Sequence, residues 1–195
     1  LSNMSNSGIT EFQVYMPPKM RSTIQHVGTG KHYNINSKRG KLRLLNSATN
    51  PNSIYQHDIK AFSDHLHYIE SSNKKYVLIA PSYFIYSQDF SKLRDQHIET
   101  GADITVLYKN VTDAKESFIG CQTLRFDENK RIVEFNENHG KYKNRPVSLE
   151  AYFMERKLFI ELIHRANKIS SLYWLKDILH DSVDQYKIMG YAHRD

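Results

Sequence analysis

Tyr76-Val77-Leu78-Ile79-Ala80-Pro81 is a short, unbroken apolar run closed by a proline. A strand with one wet face alternates, whereas an uninterrupted run suits a strand covered on both faces of a parallel sheet. Residues 91–100 follow with helical character and stop at Gly101. Ile104-Thr105-Val106-Leu107-Tyr108 is then a second buried run. Strand, helix and strand in this order form a right-handed βαβ unit, so the expectation is an α/β fold with a mixed, mainly parallel sheet flanked by helices. Such sheets bind ligands beyond the carboxyl ends of their strands. The residues that follow Ala80 are therefore the first place to look for function.

Upstream, Ile59, Phe62, Leu66 and Ile69 fall on one face of a helix over residues 56–71. Residues 28–53 are polar and read as one long loop, with Leu42, Leu44 and Leu45 as an apolar island inside it; a loop of that length is usually functional or mobile. Before it, residues 19–27 form a helix stopped by Gly28. Phe12, Val14 and Met16 alternate as a strand that ends at Pro17-Pro18. Residues 1–7 read as the last turn of a helix capped by Gly8, which implies a segment upstream of Leu1.

Downstream, residues 121–126 and 132–135 are strands joined by the turn Asp127-Glu128-Asn129-Lys130. A strand over 148–154, helices over 155–166 and 173–183, and a strand over 186–191 complete the chain. The expected organisation is one partial domain over residues 1–195, with an antiparallel addition, cut short at both ends.

Composition excludes several classes. Of the 195 residues, 39% are hydrophobic and 25% charged, which is neither fibrous nor disordered in character. No apolar stretch approaches the roughly 18 residues of a membrane span, so a cytoplasmic protein is expected. One cysteine, Cys121, excludes an intrachain disulfide and a cysteine-rich zinc site; on a predicted strand it reads as a core thiol. The net charge of +6 suits nucleic acid, a membrane surface or phosphorylated small molecules. Its densest cluster, Lys38-Arg39-Gly40-Lys41-Leu42-Arg43, reads as a solvated loop. No aromatic stacking motif of the RRM kind is present, which leaves a basic RNA-binding module as the weakest alternative.

The chain also lacks the usual engines of nucleotide chemistry. Gly28-Thr29-Gly30 is too short for a phosphate-cradling loop and does not follow a strand. No His pair has the i, i+4 spacing with a Glu that a zinc hydrolase needs. The run after Ala80 reads Pro81-Ser82-Tyr83-Phe84. A metal-dependent phosphoryl or nucleotidyl transfer would want a carboxylate there, and neither Ser nor Tyr is charged at neutral pH. Asp89 is the nearest replacement.

Several blocks resemble one family, in its order and over nearly the whole chain. Leu1-Ser2-Asn3-Met4-Ser5-Asn6-Ser7-Gly8-Ile9 resembles the Leu-Ser-Asn-x-x-Asn-Ser-Gly-Ile segment of bacterial ADP-glucose pyrophosphorylases (glucose-1-phosphate adenylyltransferases). Residues 76–79 with Tyr86 resemble the strand and loop that carry their metal-binding Asp. His97 with Gly101-Ala102-Asp103-Ile104-Thr105-Val106, Phe126-Asp127-Glu128-Asn129, Ile132-Val133-Glu134-Phe135 and Lys176-Asp177-Ile178 are similar to further family blocks. The likeness is to the regulatory, GlgD-type subunit.

The resemblance implies a nucleotide-diphospho-sugar transferase domain in glycogen synthesis. The family makes ADP-glucose and pyrophosphate from ATP and glucose 1-phosphate with Mg²⁺. The family's phosphate loop and its C-terminal β-helix fall outside these residues. The departures are as telling. Where active members have Gly-Asp at the metal loop, this chain has Pro81-Ser82. Where they have Glu-Lys-Pro on the sugar-phosphate loop, it has Glu137-Asn138-His139. Where they have Gly-Thr-Ala around the base, it has His57-Asp58-Ile59.

Tyr55, Glu137, Ser148 and Asp177 still match substrate-binding positions. No residue is assigned a catalytic or metal-binding role, and no metal ligand is retained for the family's Mg²⁺. A neutral amide in place of a cation forfeits about half the strength of a charge-assisted bond. The expectation is a catalytically weak subunit in a hetero-oligomer, of tetramer size, with a catalytic paralogue. It would have at most weak affinity for ATP and glucose 1-phosphate, and no membrane or nucleic-acid partner. An active sugar-nucleotidyltransferase with unusual metal ligands is the alternative.

Overall fold

The computed structural model describes residues 1–16, 21–28, 30, 33, 35, 41–46, 57–170 and 172–194. The chain clusters into two compact units. One comprises residues 1–73, 89–91 and 160–175, the other residues 74–88, 92–159 and 176–195.

In the first unit, helix α1 (Ser2–Asn6) ends at Gly8, whose φ of 82° is open to glycine without strain. Strand β1 (Glu11–Met16) and helix α2 (Arg21–Val27) follow. Strand β2 (Lys41–Asn46) pairs with β1 in parallel, Phe12 opposite Leu42 and Val14 opposite Leu44. The apolar island expected within a loop is thus this strand. Its leucines have a partner row in β1 that lies about thirty positions earlier in the sequence, a non-local pairing that local pattern cannot reveal.

The helix expected over 56–71 is two helices, α3 (Asp58–Asp64) and α4 (Leu66–Glu70). The break is His65, at φ −118° and ψ 19°, whose Nε2 lies 2.8 Å from the carbonyl of Asn46 at the end of β2. Ile59, Phe62 and Ile69 are buried, as the helical spacing predicts, and Tyr15 packs edge-on against Phe62 at 4.9 Å.

The second unit is built on a six-stranded sheet. Its strands are β3 (Tyr76–Ile79), β4 (Ile104–Val111), β5 (Gln122–Phe126), β6 (Ile132–Glu137), β7 (Arg145–Glu155) and β8 (Ile188–Ala192). The order is β6-β5-β7-β4-β8, with β3 also paired to β7. The mixed α/β class is as expected; in chain order α5 (Phe90–Thr100) follows β3, and α6 (Arg156–Ile169) and α7 (Leu175–His180) follow β7, with most of α6 belonging to the first unit.

The crossover β3-α5-β4 does not join neighbours. Strand β7 lies between, antiparallel to both, so β3 and β4 still run in the same direction. Strand β8 continues that direction by pairing in parallel with β4. The remaining pairs, β5–β6 and β5–β7, are antiparallel, so among the described pairs of this sheet β4–β8 is the parallel one.

This insertion changes where burial falls. Ile104, Thr105, Val106 and Leu107 of β4, flanked on both sides, are fully buried. All four residues of β3 are half-buried, against the expectation of a strand covered on both faces, because among the described residues β3 pairs with β7 alone. Gly190 of β8 lies under aromatic rings: a Cβ there would stand 2.6 Å from Phe126 and 2.8 Å from Tyr108. That contact seats β8, whose end carries His193 and Arg194.

Candidate functional site

Three co-directional strands, β3, β4 and β8, end at one edge of the sheet. A cavity of about 400 Å³ lies there. Residues 84–87, just beyond β3, supply Phe84, Ile85, Tyr86 and Ser87. The end of β4 supplies Lys109, and the residues after β8 supply His193 and Arg194. Phe118 and Leu149 complete the wall. The volume is in the range of small-molecule sites.

The wall is held in strained backbone. Among the described residues three that are not glycine have positive φ: Phe118 at 58°, Lys130 at 62° and Glu150 at 51°. Lys130 belongs to the β5–β6 turn, where Asp127 accepts the Asn129 and Arg131 N–H groups at 2.9 Å each. The other two border the cavity. Glu150 lies in a bulge where β7 carries two extra residues against Leu107 and Tyr108. Its N–H donates to Ser148 Oγ at 3.1 Å, and its carboxylate accepts the hydroxyl of Tyr83. Residue 83 follows the end of β3, so this bond ties the loop after β3 to the bulge. Strain of this kind persists where the surroundings enforce it, and it clusters at functional sites.

The electrostatics favour an anion. Lys109, His193 and Arg194 line the cavity, and no Asp or Glu does among the described residues. His193 is fixed in two ways: its N–H donates to Tyr108 O at 2.7 Å, and its Nδ1 lies 3.0 Å from Gln88 Oε1. An amide oxygen only accepts, so Nδ1 carries a proton. Tyr86, 5.8 Å from that imidazole by ring centres, has its hydroxyl pushed up to about 12 by burial and stays neutral.

The residues nominated from sequence do not gather at this cavity. Tyr55 lies outside the described residues. Glu137 ends β6, exposed, its Oε1 3.8 Å from His139 Nδ1. Ser148 is fully buried in the bulge, and Asp177 is half-buried in the first turn of α7. Lys109, Tyr86, His193 and Arg194 were missed. Their signal was position: each stands at or just past the carboxyl end of a strand. A carboxylate is what metal-dependent transfer would place there.

Asn138, the amide in place of the family's loop lysine, is 4% exposed and fully engaged. Its Nδ2 donates to the carbonyls of Ala114 at 2.8 Å, Phe118 at 2.9 Å and Ser117 at 3.3 Å. Its Oδ1 accepts the Gly140 N–H at 3.1 Å. Its backbone bonds Cys121 O and Gly120 N, each at 2.9 Å. This side chain anchors the loop over residues 114–118, including the cavity residue Phe118. Cys121 packs against Val111, Ala114 and Val147, and burial, with the Glu150 charge second, pushes its thiol above the ordinary value.

The donor set does not fit the family's Mg²⁺. Residues 81 and 82 offer no carboxylate. Asp89 Oδ1 accepts the Ser91 N–H at 2.9 Å and its hydroxyl at 2.5 Å, capping α5. Among the described residues no group of three or more His, Cys, Asp or Glu could hold a metal ion. Within the same residues, no helix is long and apolar enough to cross a membrane.

Comparison with known proteins agrees with this architecture. The profile of the nucleotidyl transferase family matches residues 1–195. A glycogen biosynthesis protein GlgD of Geobacillus stearothermophilus is 29% identical over 147 residues, covering 73% of this chain and 40% of that protein. A glucose-1-phosphate adenylyltransferase of Thiobacillus denitrificans is 29% identical over 206 aligned positions, covering 100% of this chain and 46% of that enzyme. The chain thus spans less than half the length of these curated relatives.

Proposed function

Because the chain belongs to the nucleotidyl transferase family, with relatives named for glycogen biosynthesis, we propose that it acts as a GlgD-type regulatory subunit. It has little turnover of its own and modulates a catalytic paralogue that makes ADP-glucose and pyrophosphate from ATP and glucose 1-phosphate. The observation that carries this is Asn138. Its amide is consumed by four contacts within its own unit, so the loop that meets the sugar phosphate in active members offers no cation at that position. The loop after β3 adds to it, since Ser82 replaces the carboxylate and Asp89 caps α5.

Nucleotidyl transfer depends on positioning and on neutralising charge that develops in the transition state. Removing one preorganised stabiliser typically costs about 10²–10³ in rate. With both the metal carboxylate and the loop cation replaced, the retained scaffold is left to act on a partner. Regulation then requires that the assembly, of tetramer size, favour a more active state of the catalytic chain through differential binding.

The test is a titration of the full-length protein into its catalytic paralogue, following ADP-glucose from ATP, glucose 1-phosphate and Mg²⁺. The expected result is no turnover by this protein alone and a saturable change in the paralogue's rate or substrate affinity. Robust turnover alone would refute the proposal.

A further inference from the structure

Two loops of the second unit are stitched into one surface. Residues 113–120 follow β4, and residues 138–145 lead from β6 into β7. The Ala114 N–H donates to Lys143 O and the Gly120 N–H to Asn138 O, each at 2.9 Å. Gly140, at φ 71°, approaches so closely that a Cβ would stand 2.9 Å from Lys115 O and 3.1 Å from Ile119 Cδ1. On this fixed backbone Lys115, Lys141 and Lys143 are exposed and Arg145 is half-buried. Ile119 and Tyr142 remain 55% and 48% exposed among them.

The charge of this surface is not compensated from within. Among the described residues none of the four cations forms an ion pair. Arg145 and Lys141 instead face the ring of Tyr142, 4.3 and 5.3 Å from its centre. Asp113 and Glu116 share the first loop and are exposed, which leaves four cations against two carboxylates. Glu137, just before the second loop, lies 3.8 Å from His139. Cations held together without counter-charges favour an acidic partner and steer its approach. An exposed tyrosine backed by arginine is the kind of anchor that protein contacts use. A nucleic acid fits less well: bases stack on an open aromatic face, and the Tyr142 ring is already engaged by two cations. Ile119 likewise offers nothing to a phosphate backbone.

We propose that this surface docks a carboxylate-bearing segment of the catalytic paralogue, with Ile119 and Tyr142 receiving an apolar side chain beside it. The assignment rests on the regulatory reading above in one respect only, the identity of the partner. Because the backbone is already fixed, docking orders few groups beyond the long side chains of the four cations.

Surface plasmon resonance between the full-length protein and its catalytic paralogue tests this. The Debye length is about 10 Å at 0.1 M salt and about 3 Å at 1 M, so both conditions are compared. Lys141→Glu combined with Lys143→Glu should weaken association about tenfold at the lower salt, mainly through a slower on-rate, and the difference should shrink at the higher salt. Lys92→Glu combined with Lys168→Glu makes the same change in net charge at two exposed positions elsewhere, and should leave association within about threefold. Ile119→Ser should speed dissociation at both salt concentrations.

Equal losses in the two paired variants would overturn the assignment, since net charge rather than this surface would then govern association. So would a single-stranded RNA that displaces the paralogue and depends on Lys141 and Lys143 in the same way. Should the 141/143 pair fail to fold, Lys115→Glu decides alone. Unchanged association in the 141/143 pair, with the paralogue's rate still altered, would remove this surface and leave the regulatory reading. Association lost in that pair, with no effect of the parental chain on the paralogue's turnover, would do the reverse. No association by the parental chain would refute both.

Discussion

Replacing Asn138 separates a loop anchor from a lapsed substrate contact. Nδ2 has two hydrogens shared among three carbonyls, and Oδ1 accepts one N–H, so the side chain makes the equivalent of three hydrogen bonds at a site 4% exposed. At about 1 kcal/mol net each, Asn138→Ala should destabilise the protein by about 3 kcal/mol. For a chain of this size 1 kcal/mol moves the midpoint by roughly 2–4 °C, so a drop of roughly 6–12 °C is expected. Thermal unfolding followed by circular dichroism measures it. Asn138→Lys restores the residue type of active members, yet it brings a charge into a pocket lined by carbonyls already arranged for an amide. It should be destabilised to a similar degree and should gain no ADP-glucose formation. A lysine variant with parental stability and measurable new turnover would refute the anchor role and, with it, the main support for the regulatory proposal.

Three further outcomes follow from individual side chains. His97, 3% exposed with Nδ1 2.8 Å from Thr105 Oγ1, is pushed below the ordinary 6.5 by burial, which outweighs Asp103 and Glu155; Lys75 acts in the same direction as burial. The unfolded chain therefore takes up the proton first, so stability is full above about 6.5 and falls as pH drops from there toward the folded-state value. His97→Gln should flatten that dependence of the thermal midpoint, and an unchanged slope would refute it. Asp89→Ala should cost about 1 kcal/mol through the lost α5 cap, with no effect on ligand affinity in Mg²⁺; a Mg²⁺-dependent loss of binding would restore Asp89 as a metal ligand. The Cys121 thiol should react with a disulfide reagent far more slowly in the folded protein than after denaturation, and equal rates would contradict its packing.

Local chemistry made part of the fold legible. Helix ends were readable because Gly8, Gly28 and Gly101 stand at φ 82°, 53° and 61°, a conformation that other residues adopt only with strain. Both β3 and β4 were readable as strands from continuity, but only β4 carries the burial that continuity implied. What pairs with them was not. Strand β7 enters between β3 and β4 from about 40 positions further along, and β2 finds β1 across a polar stretch. Hydrophobic pattern reports burial and period, not partners, so both the inserted strand and the pairing of Leu42 with Phe12 were beyond its reach.

The site was legible in a different way. Sequence logic pointed to the carboxyl ends of the strands, where a metal-dependent transferase would want an acid. That requirement returned only absences at Ser82 and Asn138. The structure shows that neither position is a bare loss. The amide of Asn138 holds the loop carrying Phe118, and Tyr83, one residue past Ser82, holds the carboxylate of Glu150. Through Phe118 the Asn138 anchor reaches a cavity whose lining, among the described residues, holds Lys109 and Arg194 and no carboxylate. A phosphate site can meet its ligand's charge through a metal held by carboxylates or through cationic side chains directly, and these solutions oppose each other in sign. A chain that moves from the first to the second loses the metal that polarises the reacting phosphoryl group but can keep the anion itself. Such a change in wall charge would remove the chemistry first, and the turnover assay with Mg²⁺ reads that loss directly.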